Sequence, residues 1–161
     1  MEFRTESREE TLQLGKKLGK CLKPGDVVLL FGDLGSGKTT LTQGIANGLK
    51  VKQDQYVRSP SFTLINEYQG KYPIYHIDLY RLETWSEIEN LGLEEVFSDQ
   101  GVAIVEWAEK LEPGQNEENS SGFNIGPKIE IRIEFLLDDQ RSFDIKPINF
   151  KDHTHAIFTL Q

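Results

Sequence analysis

The chain has 161 residues, a length that suits one domain with an ordinary core, and its 18 basic and 26 acidic residues leave a formal charge of −8. That balance argues against a broad, sequence-independent nucleic-acid surface, which needs a basic stripe to neutralise phosphates. The single cysteine, Cys21, allows no internal disulfide; no apolar run approaches a membrane span and the residues from Met1 to Ser7 do not read as a signal peptide, so a cytoplasmic protein away from membranes is expected.

Ser7 to Leu22 reads as an opening helix, with Ser7 as N-cap, Glu9 and Glu10 in the first turn, and Leu14, Leu18 and Leu22 as its buried stripe. Pro24-Gly25-Asp26 turns the chain into Val27-Val28-Leu29-Leu30-Phe31, a continuous apolar run expected to be a buried strand. Gly32-Asp33-Leu34-Gly35-Ser36-Gly37-Lys38-Thr39 follows, matching the phosphate-binding pattern G-x-x-x-x-G-K-[ST]. Leu41, Ile45 and Leu49 then recur at helical spacing. Strand, glycine loop and helix in that order aim a helix N-terminus and its free N–H groups at phosphate oxygens. Lys38 supplies a charge near the β- and γ-phosphates, and the Thr39 hydroxyl can take one position on a magnesium ion. The expected contacts to a nucleoside triphosphate are Leu34, Gly35, Ser36, Gly37, Lys38, Thr39 and Thr40.

Lys50 to Ser61 is polar, and Phe62 to Tyr68 and Tyr72 to Ile77 read as two strands joined near Gly70. Trp85 to Leu93 has a helical pattern, and Val102-Ala103-Ile104-Val105 is a short apolar strand ending in Glu106. Pro113 to Pro127 is rich in Gly, Asn, Glu and Ser and reads as a mobile loop. Ile129 to Leu136 alternates, and Asp138-Asp139-Gln140 turns it into Arg141 to Ile145 as a terminal hairpin. The expectation is an α/β fold: a single P-loop NTPase-like domain over residues 1–161, its mixed central sheet parallel in the core, antiparallel at the edges and flanked by helices.

A P-loop works with a second carboxylate that holds magnesium and with a group that orients the attacking water. Glu106 ends the strand with no polar break, as a central parallel strand would, so it is the better candidate for the metal. Asp78 ends the run from Tyr72 to Ile77 and is a candidate for holding the metal or for orienting or deprotonating water; each acid is alternatively a helix cap or an ion-pair partner. Ser59-Pro60-Ser61-Phe62-Thr63 reads on composition as a turn. Arg81 is equally a phosphate contact or a surface ion pair. His153 and His155 alternate but lack further metal ligands nearby, and Trp107 reads as packing more than as a base stack.

Gly32 to Thr40, Ser59-Pro60-Ser61-Phe62-Thr63-Leu64, His76-Ile77-Asp78-Leu79-Tyr80-Arg81-Leu82 and Val105-Glu106-Trp107 together resemble, in order and spacing, the TsaE family (formerly YjeE). The resemblance covers about Ser7 to Glu109 and rests on the H-x-D-x-Y-R block and the E-W pair, since the P-loop alone is widely shared. It implies a compact P-loop fold and a weak ATPase serving threonylcarbamoyladenosine modification of tRNA in a complex with the TsaB and TsaD proteins. In that picture ATP and Mg2+ are the cofactors, Thr39 and Glu106 hold the metal, and Asp78 serves hydrolysis with Lys38. Residues from Arg8 to Thr11, Arg8 and Thr11 among them, would touch the base, and Ser59 to Thr63 would be a switch segment. Ser61 stands where the family has threonine, and nothing from Pro113 onward matches a family motif. The acidic charge suggests that tRNA is met only indirectly, through the complex.

The alternative is a free-standing small-molecule P-loop kinase, which needs a lid carrying arginines; the basic residues here are scattered, and the long loop has only Lys128 at its edge. A GTPase would need N-K-x-D and D-x-x-G motifs, and neither occurs. A nucleotide-binding scaffold without hydrolysis is the remaining class.

Overall fold

The computed structural model describes residues 1–98, 100–113 and 122–149. Its strands are β1 (Glu2–Thr5), β2 (Val27–Phe31), β3 (Ile65–Gln69), β4 (Pro73–Asp78), β5 (Val102–Glu106), β6 (Lys128–Phe135) and β7 (Arg141–Ile148). They form one sheet in the order β1-β7-β6-β2-β5-β4-β3. β2 lies at the centre, parallel to both β5 and β6, and β4 runs parallel to β5. β3, β7 and β1 join antiparallel towards the two edges. The mixed sheet expected from sequence is therefore the observed one. Four parallel strands deliver their carboxyl ends to one edge, where β2 runs into the glycine loop.

Two longer helices, α1 (Arg8–Cys21) and α2 (Lys38–Gly48), cover one face of the sheet. Ser7 caps α1 by accepting from the Glu10 amide, as the sequence indicates. The leucine and isoleucine stripes of both helices are buried in one cluster with Val28, Leu30 and Ile131. The helices meet backbone to backbone. A Cβ on Gly15 would lie 2.5 Å from the Leu41 carbonyl oxygen, and one on Gly44 would lie 2.5 Å from that of Leu12. Gly19 and Gly48 repeat the contact one turn on. This approach admits no side chain, so it holds α2 at a fixed distance from α1.

The opposite face carries shorter pieces: α3 (Trp85–Glu89), α4 (Leu93–Val96) and a 3-10 turn at Ala108–Leu111. Gly92, at φ 68°, separates α3 from α4, so the single helix expected over Trp85 to Leu93 is two. Thr84 and Glu87 form a capping box that starts α3. Phe123 packs against Trp85 and Phe97, with ring centroids 5.5 and 5.9 Å away. The last part of the expected 113–127 loop is thus seated on the core; residues 114–121 of it, and His153 and His155, lie outside the described residues.

Two further expectations are corrected. β3 begins at Ile65, not Phe62: Leu64 adopts φ 67° and its amide donates to the Pro60 carbonyl at 2.7 Å, closing a turn that leaves Phe62 exposed. β1 was not expected at all. Its four residues alternate weakly and find their partner in β7, from Glu2 opposite Asp144 to Thr5 opposite Arg141.

Candidate functional site

The loop between β2 and α2 needs its glycines. Gly32, Gly35 and Gly37 sit at φ 145°, 79° and 108°, conformations that an L side chain rarely adopts. Gly37 is the N-cap of α2 and offers no side chain to cap it, and the first turn contains no acidic residue. Among the described residues no backbone carbonyl takes up the amides of Gly35, Gly37, Lys38, Thr39 or Thr40. A helix start left bare in this way presents convergent N–H groups and the positive end of the helix dipole.

Lys38 is buried, and its ammonium donates to the carbonyls of Gly32 at 2.5 Å and Asp33 at 2.8 Å. It lies 4.0 Å from the centroid of the Trp107 ring. Burial pushes its pKa below the usual lysine value, while Glu106, Glu109, Asp78 and Asp33 pull it back up. Trp107 adopts φ 60°, an outlier for a bulky residue, and this backbone turn after β5 brings the indole over the lysine. The Tyr80 ring packs against the indole in a tilted arrangement, with centroids 4.9 Å apart. Trp107 therefore packs, as its sequence context suggests, but against the P-loop lysine as well as against the core.

The two acids stand side by side. Asp78 is the register partner of Glu106, and Glu106 that of Leu30, so both carboxylates reach the edge where the loop begins. Glu106 is 2% exposed and fully engaged. Its Oε2 accepts from the Thr39 hydroxyl at 3.0 Å, and its Oε1 from His76 Nε2 at 2.7 Å and the Thr42 hydroxyl at 3.5 Å. His76 has no exposed surface, and with its proton on Nε2 it fixes the rotation of the carboxylate. Sequence reasoning took His76 only as part of a motif; alternation along β4, which places it beside Asp78, was the available signal.

Asp78 accepts from the Ser59 hydroxyl and, at 3.0 Å, from the Tyr80 amide. The Ser59-to-Thr63 segment is indeed a turn, and it places Ser59 and Ser61 in the same cleft as the P-loop. This open cleft, about 440 Å³, is lined by Lys38, Thr39, Asp78, Glu106, Trp107 and Arg141 among others, and Leu34, Gly35, Gly37 and Thr40 also border it. Ser36 faces a second hollow of about 830 Å³ between the loop and β6. Arg81 lies over the Phe62 ring at 4.1 Å, with no carboxylate partner among the described residues. Arg8 reaches from α1 to Gln43 of α2 at 2.8 Å. Thr11 is fully buried, its hydroxyl 2.8 Å from that of Thr5, beneath the start of α1 and outside the cleft.

A central parallel strand entering a glycine loop and helix, with an acid at the end of the neighbouring strand, defines an α/β protein of the P-loop class. Residues 5–142 match the family model described as threonylcarbamoyl adenosine biosynthesis protein TsaE. The tRNA threonylcarbamoyladenosine biosynthesis protein TsaE of Bacillus subtilis is 44% identical over 142 residues, covering 88% of this chain and 82% of the relative. Its counterpart in Nostoc is 48% identical over 147 residues, with 88% and 83% coverage. A crystal structure of Bacillus subtilis YdiB superposes with a TM-score of 0.73 at 36% identity, over 99% of this chain and 93% of that one. The chain belongs to the TsaE family, which takes part in the biosynthesis of threonylcarbamoyladenosine in tRNA.

Proposed function

We propose that this chain binds ATP with Mg2+ and hydrolyses it as the ATPase subunit of the cytoplasmic assembly that makes threonylcarbamoyladenosine on tRNA. In this reading it supports turnover of the transferase formed with the TsaD and TsaB proteins and meets tRNA only through them. The observation that carries the reading is the joining of Thr39 to Glu106 at the mouth of a loop whose amides are free.

The donor set fits both ligands. A hydroxyl and a carboxylate are hard oxygen donors, and no group of three or more His, Cys, Asp or Glu is arranged to hold a metal ion among the described residues. A site with one or two protein oxygens, the rest coming from phosphate and water, suits magnesium. Thr39 and Glu106 would hold the ion, which would supply positive charge to offset that of the phosphates. The amides of Gly35, Gly37, Lys38, Thr39 and Thr40 bind phosphate oxygens, and Lys38 leaves the carbonyls of Gly32 and Asp33 for the terminal phosphates. His76 keeps Glu106 oriented throughout. Asp78, braced by Ser59 and Tyr80, accepts a proton from water and aims it at the γ-phosphate. Movement of Ser59 towards that phosphate would couple the switch segment to the nucleotide.

The test is the ATPase rate of the purified chain with and without the TsaB–TsaD pair. We expect stimulation by the pair and loss of activity in Lys38→Ala under both conditions. Absence of stimulation and of co-purification would overturn the assignment to the assembly. Full activity in Lys38→Ala would overturn the assigned site.

A further inference from the structure

We infer that Lys110 is a positioning residue for ATP hydrolysis: from outside the cleft it fixes Tyr80, which sets both the Asp78 carboxylate and the Trp107 ring. This deepens the proposed function and rests on the reading of Asp78 as the group that serves water. The ends of β4 and β5 lie side by side, and each runs on into a turn. After Asp78 the turn is closed by the Leu82 amide on the Leu79 carbonyl at 3.1 Å. After Glu106 come Trp107 and the 3-10 turn at Ala108–Leu111. A backbone bond joins the two segments, from the Leu79 amide to the Glu106 carbonyl at 3.2 Å. Lys110 adds a side-chain tie. Its ammonium crosses from the 3-10 turn and donates to the carbonyls of Tyr80 at 2.6 Å and Leu82 at 2.7 Å.

Tyr80 is held at three points. Its amide donates to Asp78 Oδ1 at 3.0 Å, an Asx turn that fixes the rotation of the carboxylate. Its ring packs against Trp107, which in turn lies against the Lys38 ammonium. Its carbonyl is held by Lys110. Releasing that carbonyl frees the peptide planes beside Tyr80, and the aim of Asp78 loosens with them. The choice of partners marks the contact as specific. Residues 83–112 contain nine acids, and Lys110 is their only base. Glu83 and Glu112 border the same hollow as Lys110, apart from the nucleotide cleft. A lysine that only balanced this charge would pair with a carboxylate. Among the described residues Lys110 pairs with none and gives its N–H groups to two neutral carbonyls.

A structural prop and a positioning residue predict different outcomes in a substitution series. The single-turnover rate of ATP hydrolysis, with the TsaB–TsaD pair present, should be measured in the parent, Lys110→Met and Lys110→Arg. Titration calorimetry with ADP and ATP, and thermal unfolding, accompany it. Methionine keeps most of the aliphatic stem and removes the donors, whereas arginine supplies donors again. We expect Lys110→Met to slow hydrolysis by about tenfold while both affinities stay within about twofold, and Lys110→Arg to recover most of the rate. A misaimed carboxylate slows the chemical step and leaves phosphate binding alone, a split that a prop does not produce. A rate within about twofold of the parent in Lys110→Met overturns the inference. So does a slower rate matched by an equal loss of nucleotide affinity or of folded protein, or one that Lys110→Arg shares in full. Each of these leaves the nucleotide reading standing. A parent chain that binds ATP but does not hydrolyse it, alone or with the pair, overturns the reading of Asp78 and this inference with it.

Discussion

The two faces of the sheet are closed in different ways, and the difference shows what the P-loop rests on. On one face α1 and α2 touch through their backbones at Gly15, Gly19, Gly44 and Gly48, where no side chain fits. On the other, short helices and a 3-10 turn are held by side chains such as Trp85, Ile88 and Leu111. The first face is a rigid mount for the helix whose N-terminus forms the loop. The second carries Tyr80, Trp107 and Lys110, whose ammonium holds the carbonyls of Tyr80 and Leu82 at 2.6 and 2.7 Å. A fixed mount on one face and a side-chain-built layer on the other suit the proposed nucleotide site, which would have to open to exchange its ligand.

The largest expected effect lies where the two regions meet. Asp78→Ala should slow hydrolysis by about two to three orders of magnitude while ATP affinity stays within a few-fold, because in the proposed function the carboxylate serves water and not phosphate. Equal loss of binding and hydrolysis would instead make Asp78 part of the cradle. Next comes the mount itself. Gly19→Ala adds one methyl group, yet its Cβ would lie 2.2 Å from the Ile45 carbonyl oxygen. Forcing the helices apart should cost about 3 kcal/mol or more in urea denaturation. On the cover, Ile88→Val removes one methylene from an equally buried position and should cost about 1 kcal/mol. If both substitutions cost the same, the two faces do not differ in rigidity.

A smaller effect tests the electrostatics of the cleft. Burial lowers the Lys38 pKa, so the free protein loses this charge at a pH below the ordinary lysine range. Bound phosphates favour the charged form and raise the pKa again. ATP affinity should therefore fall as pH rises through the free-protein pKa, with net proton uptake on binding in that alkaline range. Calorimetry in two buffers of different ionisation enthalpy measures the uptake; its absence would mean that Lys38 is not against the phosphates.

Much of this was legible in sequence because it is local. The apolar run of β2, the glycine pattern and the leucine spacing of α2 sit within about twenty residues, and periodicity alone orders them. Glu106 was legible as the end of an unbroken apolar strand. The glycine contact was not, since each glycine looks like a weak point in its own helix until the two helices are paired. Arg141 was hidden for a similar reason: only the β6–β7 register, and the return of β7 to the edge where the loop begins, bring it to Ser36. β1 is missed and the start of β3 misplaced because short strands with mixed polarity take their conformation from distant partners.

The central claim is that Thr39 and Glu106 form a magnesium site completing an ATP-binding loop. Its most direct test is ATP affinity, measured with and without Mg2+, in the parent and in Glu106→Ala. We predict that Mg2+ strengthens ATP binding to the parent and that Glu106→Ala loses most of this enhancement while keeping its metal-free affinity. A Glu106→Ala chain with an undiminished response to Mg2+ would contradict the claim.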